Sequence, residues 1–173
     1  YGNNYWQDAY QANKTAKEFL EGTGHGLVED YGDIFMTEDH KEAILPIIYE
    51  APDRTNGRQE HCVRPLSESK NCTGGDQPIW SLVKSYPMKD GKQPGNSSKY
   101  SYDVQTFWQN RDPRFYETIV YNGDVYELGG EQGRRQYTDL EVGDINDGFG
   151  DQQGFYRTGF YCRKGIEVSL PQA

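Results

Sequence analysis

The sequence is short of the apolar residues that usually fill a protein core. Leu, Ile, Val and Phe together number 31 of 173 residues, which is below the fifth of a sequence that usually signals a well-filled core. Against disorder stand 14 Tyr and 3 Trp, whose large side chains bury much area per residue. We therefore expect an ordered but loop-rich structure.

An excess of positive charge and a long apolar run are also missing. Lys and Arg number 18 against 27 Asp and Glu, so the net charge is −9 and no basic stripe can bind a phosphate backbone. Nucleic acid is therefore not an expected partner. No apolar run is long enough to cross a bilayer, and neither a signal peptide nor a lipid-anchoring cysteine lies near Tyr1.

Three common catalytic motifs are absent as well. The sequence has no Gly-x-Ser-x-Gly elbow, no phosphate-binding glycine loop with its lysine, and no His-Glu-x-x-His zinc helix. A glycosidase pair of carboxylates stays open, because its test is a separation in space, but a solvated acidic surface is the favoured interpretation. His25, His40 and His61 lie scattered in polar contexts and receive no role. We expect neither an enzyme nor a cofactor.

The cysteines and one acidic loop are the remaining candidates for a crosslink or a metal site. Cys62 and Cys72 lie in the polar loop at residues 51–75, where a disulfide is favoured over free thiols and, last, over zinc. Residues 144–151 hint at a calcium loop, but Gly148 and Phe155 occupy positions where an EF-hand needs oxygen ligands. A Gly/Asp turn is favoured there, with an irregular calcium loop as the alternative.

An amphipathic helix is predicted near the start of the sequence. Apolar or small residues recur there at helical spacing, namely Tyr5, Ala9, Ala12, Ala16 and Phe19. Lys14 and Glu18 can pair one turn apart, and Gly22 and Gly24 supply a stop. The stripe of small residues suits close packing against another helix.

Two further helices and an edge strand are predicted before residue 90. Residues 27–35 present a short helical face, and the apolar run at residues 43–49 contains Pro46, which favours an edge strand because proline cannot donate to a ladder. A compact helix is predicted around Val83, because apolar side chains share one face there; they are Ile79, Leu82, Val83 and Tyr86. Pro78 starts it, Pro87 stops it, and Asp76 or Gln77 is placed to cap it.

Residues 110–128 predict a turn followed by a β-hairpin. Asp112 precedes Pro113, so Asp112 leaves the α region and its carboxylate can cap the turn. From residue 115 to residue 121 the side chains are aromatic, β-branched or Thr at all positions but one, and Asn122-Gly123 readily takes positive φ. We predict two paired strands with both faces at least partly covered.

Several of these segments together resemble a known family. The run Asn110-Arg-Asp-Pro-Arg-Phe, followed by a strand and Asn-Gly, closely resembles the signature of the SusD/RagB family of outer-membrane nutrient-binding lipoproteins. Residues 27–49 resemble the helix and strand that lead into this region of the family. Residues 77–91 resemble the short helix that ends in Tyr and continues into Met-x-Asp-Gly, and residues 158–164 resemble its Gly-aromatic-aromatic-x-Arg-Lys strand. Order and spacing agree across nearly the whole chain.

The resemblance implies a fold, a location and partners. It implies that residues 1–173 form a single partial domain, α+β and loop-rich, with short helices and short antiparallel strands. This segment would belong to a longer, mostly helical protein with tetratricopeptide-like repeats. The longer protein would lie on the extracellular face of the outer membrane, held by a lipid anchor outside this fragment. It would bind an oligosaccharide or polysaccharide and deliver it to a SusC-like TonB-dependent transporter.

The aromatic residues in the polar segment before Asn110 are the candidate binding site. Trp108 lies two residues ahead of the predicted rigid turn, and a ring held in place loses little entropy when a sugar stacks on it. Tyr102 and Tyr100 would supply further aromatic planes, and Asn110 and Gln109 would supply polar neighbours. SusD-like proteins often bind glycan with aromatic loop residues around this region.

Three alternatives stay open at this point. Trp108 or Phe107 alternatively covers one face of the predicted hairpin, in which case the binding site lies elsewhere. The chain is alternatively a secreted or periplasmic glycoside hydrolase domain, which would release new reducing ends from polysaccharide. It is alternatively a purely structural segment that supports the helical repeats and binds nothing itself.

Overall fold

The computed structural model describes residues 5–50, 52–55, 60–69, 76–138 and 158–171. The chain divides into two compact units, Tyr1–Arg54 and Thr55–Ala173, which we call the N-terminal unit and the C-terminal unit. The described residues form short helices, short antiparallel strand pairs and many loops, which confirms the predicted α+β, loop-rich class. Whether residues 1–173 behave as one domain stays a prediction.

The N-terminal unit begins with helix α1, Tyr5–Gly22, as its spacing predicts. Lys14 and Glu18 form the expected pair one turn apart at 4.0 Å, and the predicted stop is present because Gly24 takes a φ of 93° just after the helix. No residue of α1 is buried. Its aromatic side chains are 62–88% exposed; they are Tyr5, Trp6, Tyr10 and Phe19.

The second predicted helix is shorter than its sequence pattern suggests. Helix α2 spans only Asp33–Met36, and the ring of Tyr31 meets Phe35 edge-on at 5.2 Å. Leu27 lies outside any helix. Just before α2, the carboxylate of Asp30 accepts a hydrogen bond from the Gly32 N–H at 2.8 Å, so the chain turns there instead of continuing a helix.

The predicted edge strand at residues 43–49 is wrong. This segment has no strand, and its aliphatic side chains are 66–90% exposed; they are Ile44, Leu45, Ile47 and Ile48. A strand needs a neighbour, and in the described part of the chain the only pairing nearby is the single bridge between Glu50 and Arg54. Pro46 removes a donor as well, so nothing holds an extended ladder here.

The described residues of the C-terminal unit form three short helices: α3 Glu60–Val63, α4 Trp80–Ser85 and α5 Pro113–Tyr116. Three 3₁₀ turns, Leu66–Glu68, Val104–Thr106 and Leu128–Gly130, lie between them and the strands. Helix α4 confirms the predicted compact helix, but the predicted cap is wrong. The N-cap is Ile79 without a side-chain hydrogen bond, and Gln77 instead accepts the Thr158 N–H at 3.2 Å.

Four two-residue strands form two separate pairs. Strand β1, Ile119–Val120, runs antiparallel to β4, Tyr161–Cys162, and β2, Asp124–Val125, runs antiparallel to β3, Arg135–Gln136. Ile119 lies opposite Cys162, and Asp124 lies opposite Gln136. The β1–β4 pair therefore joins segments that are distant in sequence, whereas β2 and β3 are close neighbours along the chain.

This pairing corrects the predicted hairpin. The turn is present, since Gly123 takes a φ of 79° and the Asp124 N–H donates to the Tyr121 carbonyl at 3.0 Å, but β1 and β2 do not pair with each other. Phe115 lies in a helix rather than a strand. The cap by Asp112 and the fixed φ of Pro113 start a helical turn there, and these local constraints outweigh the β-propensity of the residues that follow.

Two core clusters flank strand β1. The first contains Val120, Tyr126, Leu128, Tyr161 and Ile166. The second is built on Val83, Phe115 and Ile119, with partly buried aromatic rings packed against them; these are Tyr86, Phe107, Trp108, Tyr116, Tyr121 and Phe160. Successive side chains of a strand point to opposite faces, so Ile119 and Val120 enter different clusters. The prediction that both faces are covered is confirmed.

Buried arginines supplement these small clusters. The guanidinium of Arg64 donates to the carbonyls of Glu167 and Leu170 at 3.0 and 3.1 Å, and Arg64 has no exposed surface. Arg134, also buried, donates to the Tyr126 carbonyl at 3.0 Å and to the Glu68 carboxylate at 3.0 Å. A guanidinium has five donors in a fixed plane, so each of these side chains ties distant backbone segments together.

None of the helices in the described part of the chain combines the length and the apolar character that a membrane-spanning helix requires.

Candidate functional site

Five aromatic rings come together beside the second core cluster. We call Trp80, Phe107, Trp108, Tyr121 and Phe160 the aromatic array. Phe107 lies at its centre, edge-on to the other four rings, with centroid distances of 5.2–5.8 Å and interplanar angles of 74–89°. The outer rings form two near-parallel stacks, Trp80 on Phe160 at 6.0 Å and Trp108 on Tyr121 at 5.1 Å. Edge-on and offset-stacked geometries are the favourable ones, so the rings hold one another in place.

A capped turn and one tyrosine hydroxyl position the middle of the array. The carboxylate of Asp103 accepts the Gln105 N–H at 2.8 Å and begins the 3₁₀ turn that delivers Phe107 and Trp108. The hydroxyl of Tyr116 then donates to the Trp108 carbonyl at 2.7 Å. The backbone of Trp108 is therefore fixed by helix α5 as well as by its own ring.

Arg111 connects this turn to helix α4. It has no exposed surface, and its guanidinium donates to four carbonyls: Phe107 at 2.7 Å, Val83 at 2.9 Å, Lys84 at 3.3 Å and Tyr86 at 2.6 Å. Three of these lie at the end of α4, where carbonyls lack helical partners and the helix dipole favours a cation. Burial lowers the pKa of Arg111 from its ordinary value, but guanidinium stays charged in proteins. Arg111 thus ends α4 and anchors the array.

The neighbouring residues of the motif fix the turn, as predicted for Asp112. Its carboxylate accepts the Arg114 N–H at 3.0 Å and receives two hydrogen bonds from the Arg114 guanidinium at 2.8 and 2.9 Å. The contacts with Arg114 hold the pKa of Asp112 below its ordinary value. Asp112, Pro113 and Arg114 therefore act in folding, because they start helix α5.

Trp108 and its two polar neighbours have different surroundings. Trp108 is half-buried, with one face covered by Tyr121, while Gln109 is exposed. Asn110 takes a φ of 55°, and its carbonyl accepts the Lys89 N–H at 2.9 Å. Trp108 thus covers the second core cluster, which was the alternative interpretation of this ring. A role for these three residues in ligand binding stays a prediction.

Tyr102 and Tyr100 lie outside the aromatic array. The ring of Tyr102 faces the Arg111 guanidinium at 5.8 Å and its hydroxyl is buried. Tyr100 is half-buried under the ammonium of Lys99, which lies 5.3 Å from the ring centroid. The structure therefore brings Trp108, but neither of these tyrosines, together with the other rings of the array. Their binding role also stays a prediction.

Sequence reasoning missed two members of the array. Trp80 and Phe160 are 80 positions apart, and only the fold brings their rings into a stack with an interplanar angle of 18°. One sequence signal was present, since Trp80 lies in the predicted helix but outside its apolar face. An aromatic ring outside the apolar face of a helix is available to pack against rings from other segments, as Trp80 does with Phe107 and Phe160.

Asp124 and Tyr121 have shifted pKa values at the edge of the array. Burial raises the pKa of Asp124 even though its carboxylate pairs with the Arg163 guanidinium at 2.7 Å. Burial, together with the charge of Asp124, raises the pKa of Tyr121 to about 12. Tyr121 is therefore neutral at physiological pH and acts as an apolar support for Trp108.

The predicted crosslink and metal sites lie mostly outside the described residues. Cys62 is disulfide-bonded, but Cys72 is outside the described residues, so the pairing of Cys62 with Cys72 stays a prediction. The candidate calcium loop at residues 144–151 is outside them too. Within the described ranges, no three His, Cys, Asp or Glu side chains gather in a way that could hold a metal ion.

Comparison with known proteins gives matches of two kinds, to a family model and to solved structures. The model of the SusD family matches residues 41–172. Among solved structures, four chains match; one is a SusD-like protein from Bacteroides fragilis NCTC 9343, with 22% identity and a TM-score of 0.54. That match covers 85% of this chain and 31% of the other, so the present chain spans about a third of the length of its structural relative. No curated protein is significantly similar in sequence.

The two matches agree with each other and with the motifs at residues 77–91, 110–115 and 158–164. At 22% identity the structural likeness shows the fold, while the family model covers well over half of the sequence. We conclude that this chain belongs to the SusD family.

Proposed function

We propose that this chain is part of a non-enzymatic protein that captures oligosaccharide at the outer surface of an outer membrane and delivers it to a SusC-like TonB-dependent transporter. Membership of the SusD family supports the general role. The observation that carries the proposal within this chain is the aromatic array, in which five rings are locked together and none is fully buried.

The chemistry of sugars fits this kind of surface. A pyranose ring presents apolar C–H groups on its faces and hydroxyls at its edge, so its binding site needs rigid aromatic planes bordered by polar groups. Trp108 supplies such a plane, and the exposed Gln109 follows it directly. Because the rings of the array are already ordered by one another, binding costs little conformational entropy.

The acidic composition narrows the ligand class. A net charge of −9 disfavours the binding of polyanions, whereas neutral glycans carry no such electrostatic penalty. Neutral oligosaccharides are therefore the proposed ligands. Delivery to a transporter and attachment by a lipid anchor are proposed from family membership alone. Both concern the full-length protein and are tested there.

The test is glycan binding by the full-length protein. We expect binding to one or more neutral oligosaccharides on a glycan array, confirmed by isothermal titration calorimetry. Trp108→Ala should weaken this affinity by about 1–3 kcal/mol if the ring contacts the ligand. It should also lower the melting temperature, because the ring packs on Tyr121.

A matched variant separates the two effects. Tyr121→Ala removes the other half of the same stack, so it should destabilise the protein similarly while affecting binding less. Titrations far below the melting temperature keep both variants folded. If neither substitution changes affinity, Trp108 belongs only to the core, and the site lies elsewhere in the protein.

Two further experiments address the remaining roles. Incubation with the bound polysaccharide should produce no new reducing ends; their appearance would support the glycoside hydrolase alternative. Copurification of a SusC-like transporter with the tagged full-length protein from outer membranes is the expected result for the uptake role. A protein that binds no glycan and no transporter would favour the purely structural alternative.

A further inference from the structure

Trp80 is the most exposed ring of the aromatic array. It is 39% exposed, whereas the other four members are half-buried. Its flank is nonetheless constrained, since Phe160 stacks on it with an interplanar angle of 18° and Phe107 meets it edge-on at 5.3 Å. A large ring that is both exposed and held by its neighbours is suited to contact with a ligand.

The helix that carries Trp80 is anchored at several points. Val83 is completely buried in the second core cluster, and Pro78 is buried just before the helix. At the other end, the Arg111 guanidinium binds the carbonyls of Val83, Lys84 and Tyr86. The backbone beneath Trp80 is therefore fixed even though α4 has only six residues.

We propose that Trp80 is a stacking platform for one pyranose residue of the oligosaccharide. The inference rests on the proposed function and names a second contact point on the same array, joined to Trp108 through Phe107. The suitable partner is a pyranose that presents one face of C–H groups to the exposed part of the ring. Ser81 and Asp76 are exposed and lie close to Trp80 in sequence. Their hydroxyl and carboxylate groups can form hydrogen bonds with the hydroxyls at the edge of a sugar ring.

The aliphatic residues beside Trp80 suggest a competing explanation for its exposure, namely that another protein segment covers this surface. Ile79 and Leu82 are 59% and 46% exposed. If a protein segment covers this surface, these residues contribute to the contact as Trp80 does. If a sugar stacks there, the flat aromatic ring is what matters, and truncation of Leu82 has little effect.

The experiment compares Trp80→Ala with Leu82→Ala in the full-length protein. Cellohexaose, xylohexaose and maltohexaose are the probes, titrated calorimetrically at a temperature where circular dichroism shows every variant folded. For the hexaose that the wild type binds, Trp80→Ala should lower affinity about tenfold or more, and Leu82→Ala should change it by less than about twofold. Trp80→Phe, which keeps a smaller ring and serves if the alanine variant does not fold, should give an intermediate affinity.

The outcomes distinguish this inference from the proposed function. Binding by the wild type with unchanged affinity in both Trp80 variants overturns the platform and leaves the proposed function intact. Equal losses in Trp80→Ala and Leu82→Ala, each with a lowered melting temperature, assign the surface to a protein contact and overturn the platform too. A wild type that binds none of the probes and no glycan on the array overturns both.

Discussion

Helix α1 in the N-terminal unit leaves Trp6, Tyr10 and Phe19 exposed, whereas Phe115 and Ile119 in the C-terminal unit have no exposed surface. Both units carry aromatic and aliphatic residues, so composition alone does not separate them. The difference is what each unit offers those side chains to pack against. The C-terminal unit supplies its own core, and among the described residues the N-terminal unit supplies none.

This contrast shows how a sequence with few branched aliphatic residues builds a core. The C-terminal unit gathers aromatic rings in one array and holds its loops together with buried guanidinium groups, such as that of Arg111, which donates to four carbonyls. The N-terminal unit has one long helix whose exposed salt bridges contribute little. Most of the stability of a helix in a protein comes from packing of its apolar face, so α1 gains stability when another surface covers it.

The largest expected difference concerns hydrogen exchange in the 173-residue chain. Amides of α1 should exchange nearly as fast as in an unfolded peptide, because none of the residues of α1 is buried. Amides of β1 and β4 should exchange more slowly by orders of magnitude, since they lie between the two core clusters. Exchange followed by mass spectrometry measures both. If the amides of α1 were protected from exchange as strongly as those of β1, the two units would not differ in stability as proposed here.

The next largest effect is expected at Arg111. Arg111→Met should lower the free energy of unfolding by about 3–5 kcal/mol, because four buried or partly buried carbonyls lose their donor. Urea unfolding followed by tryptophan fluorescence measures this. The control is Arg114→Met, whose side chain is 54% exposed and which should cost about 1 kcal/mol or less. Equal effects would mean that the buried guanidinium does not stabilise the C-terminal unit.

Two phenylalanines give a matched test of the same contrast. Phe107→Ala should cost about 2–4 kcal/mol, because the ring is the centre of the aromatic array. Phe19→Ala should cost about 0.5 kcal/mol or less, because Phe19 is 69% exposed on α1. Urea unfolding of both variants supplies the numbers. A comparable loss for Phe19 would show that α1 packs on a surface after all.

The smallest expected effect is a difference in acid sensitivity within the C-terminal unit. Arg114 lowers the pKa of Asp112, so the stability that Asp112 contributes is present above the ordinary pKa of 3.8 and is lost as pH falls through its lower native value. Burial raises the pKa of Asp124, so its contribution is present below 3.8 and is lost as pH rises through its higher native value. Asp112→Asn should therefore lose less stability than the wild type between neutral and acid pH, and Asp124→Asn should lose more.

The midpoints of urea unfolding at neutral and at acid pH measure how much stability each variant loses between the two conditions. A shallower acid loss in Asp124→Asn would mean that the attraction of Arg163 outweighs burial, which reverses the assigned direction of that pKa.

The sequence by itself determined the features that depend on neighbours a few residues away. The spacing of apolar residues and the glycine stop specify α1, and the two prolines bracket α4. The Asp112 cap and the positive φ of Gly123 follow from the local chemistry of Asx-Pro and Asn-Gly pairs. The motifs around these same turns identify the family, because they combine fixed backbone geometry with fixed spacing.

Only the tertiary structure decided which segments meet. In a strand of only two residues, the intrinsic β-propensity of the sequence is too weak to choose a partner strand. The pairing of Ile119 with Cys162 therefore depends on contacts between distant parts of the chain. The same holds for the stack of Trp80 on Phe160 and for the burial of Arg111 under the end of α4. The segment at residues 43–49 is exposed although its sequence is apolar. Local sequence makes it hydrophobic, but only another part of the folded protein can supply a surface that covers it.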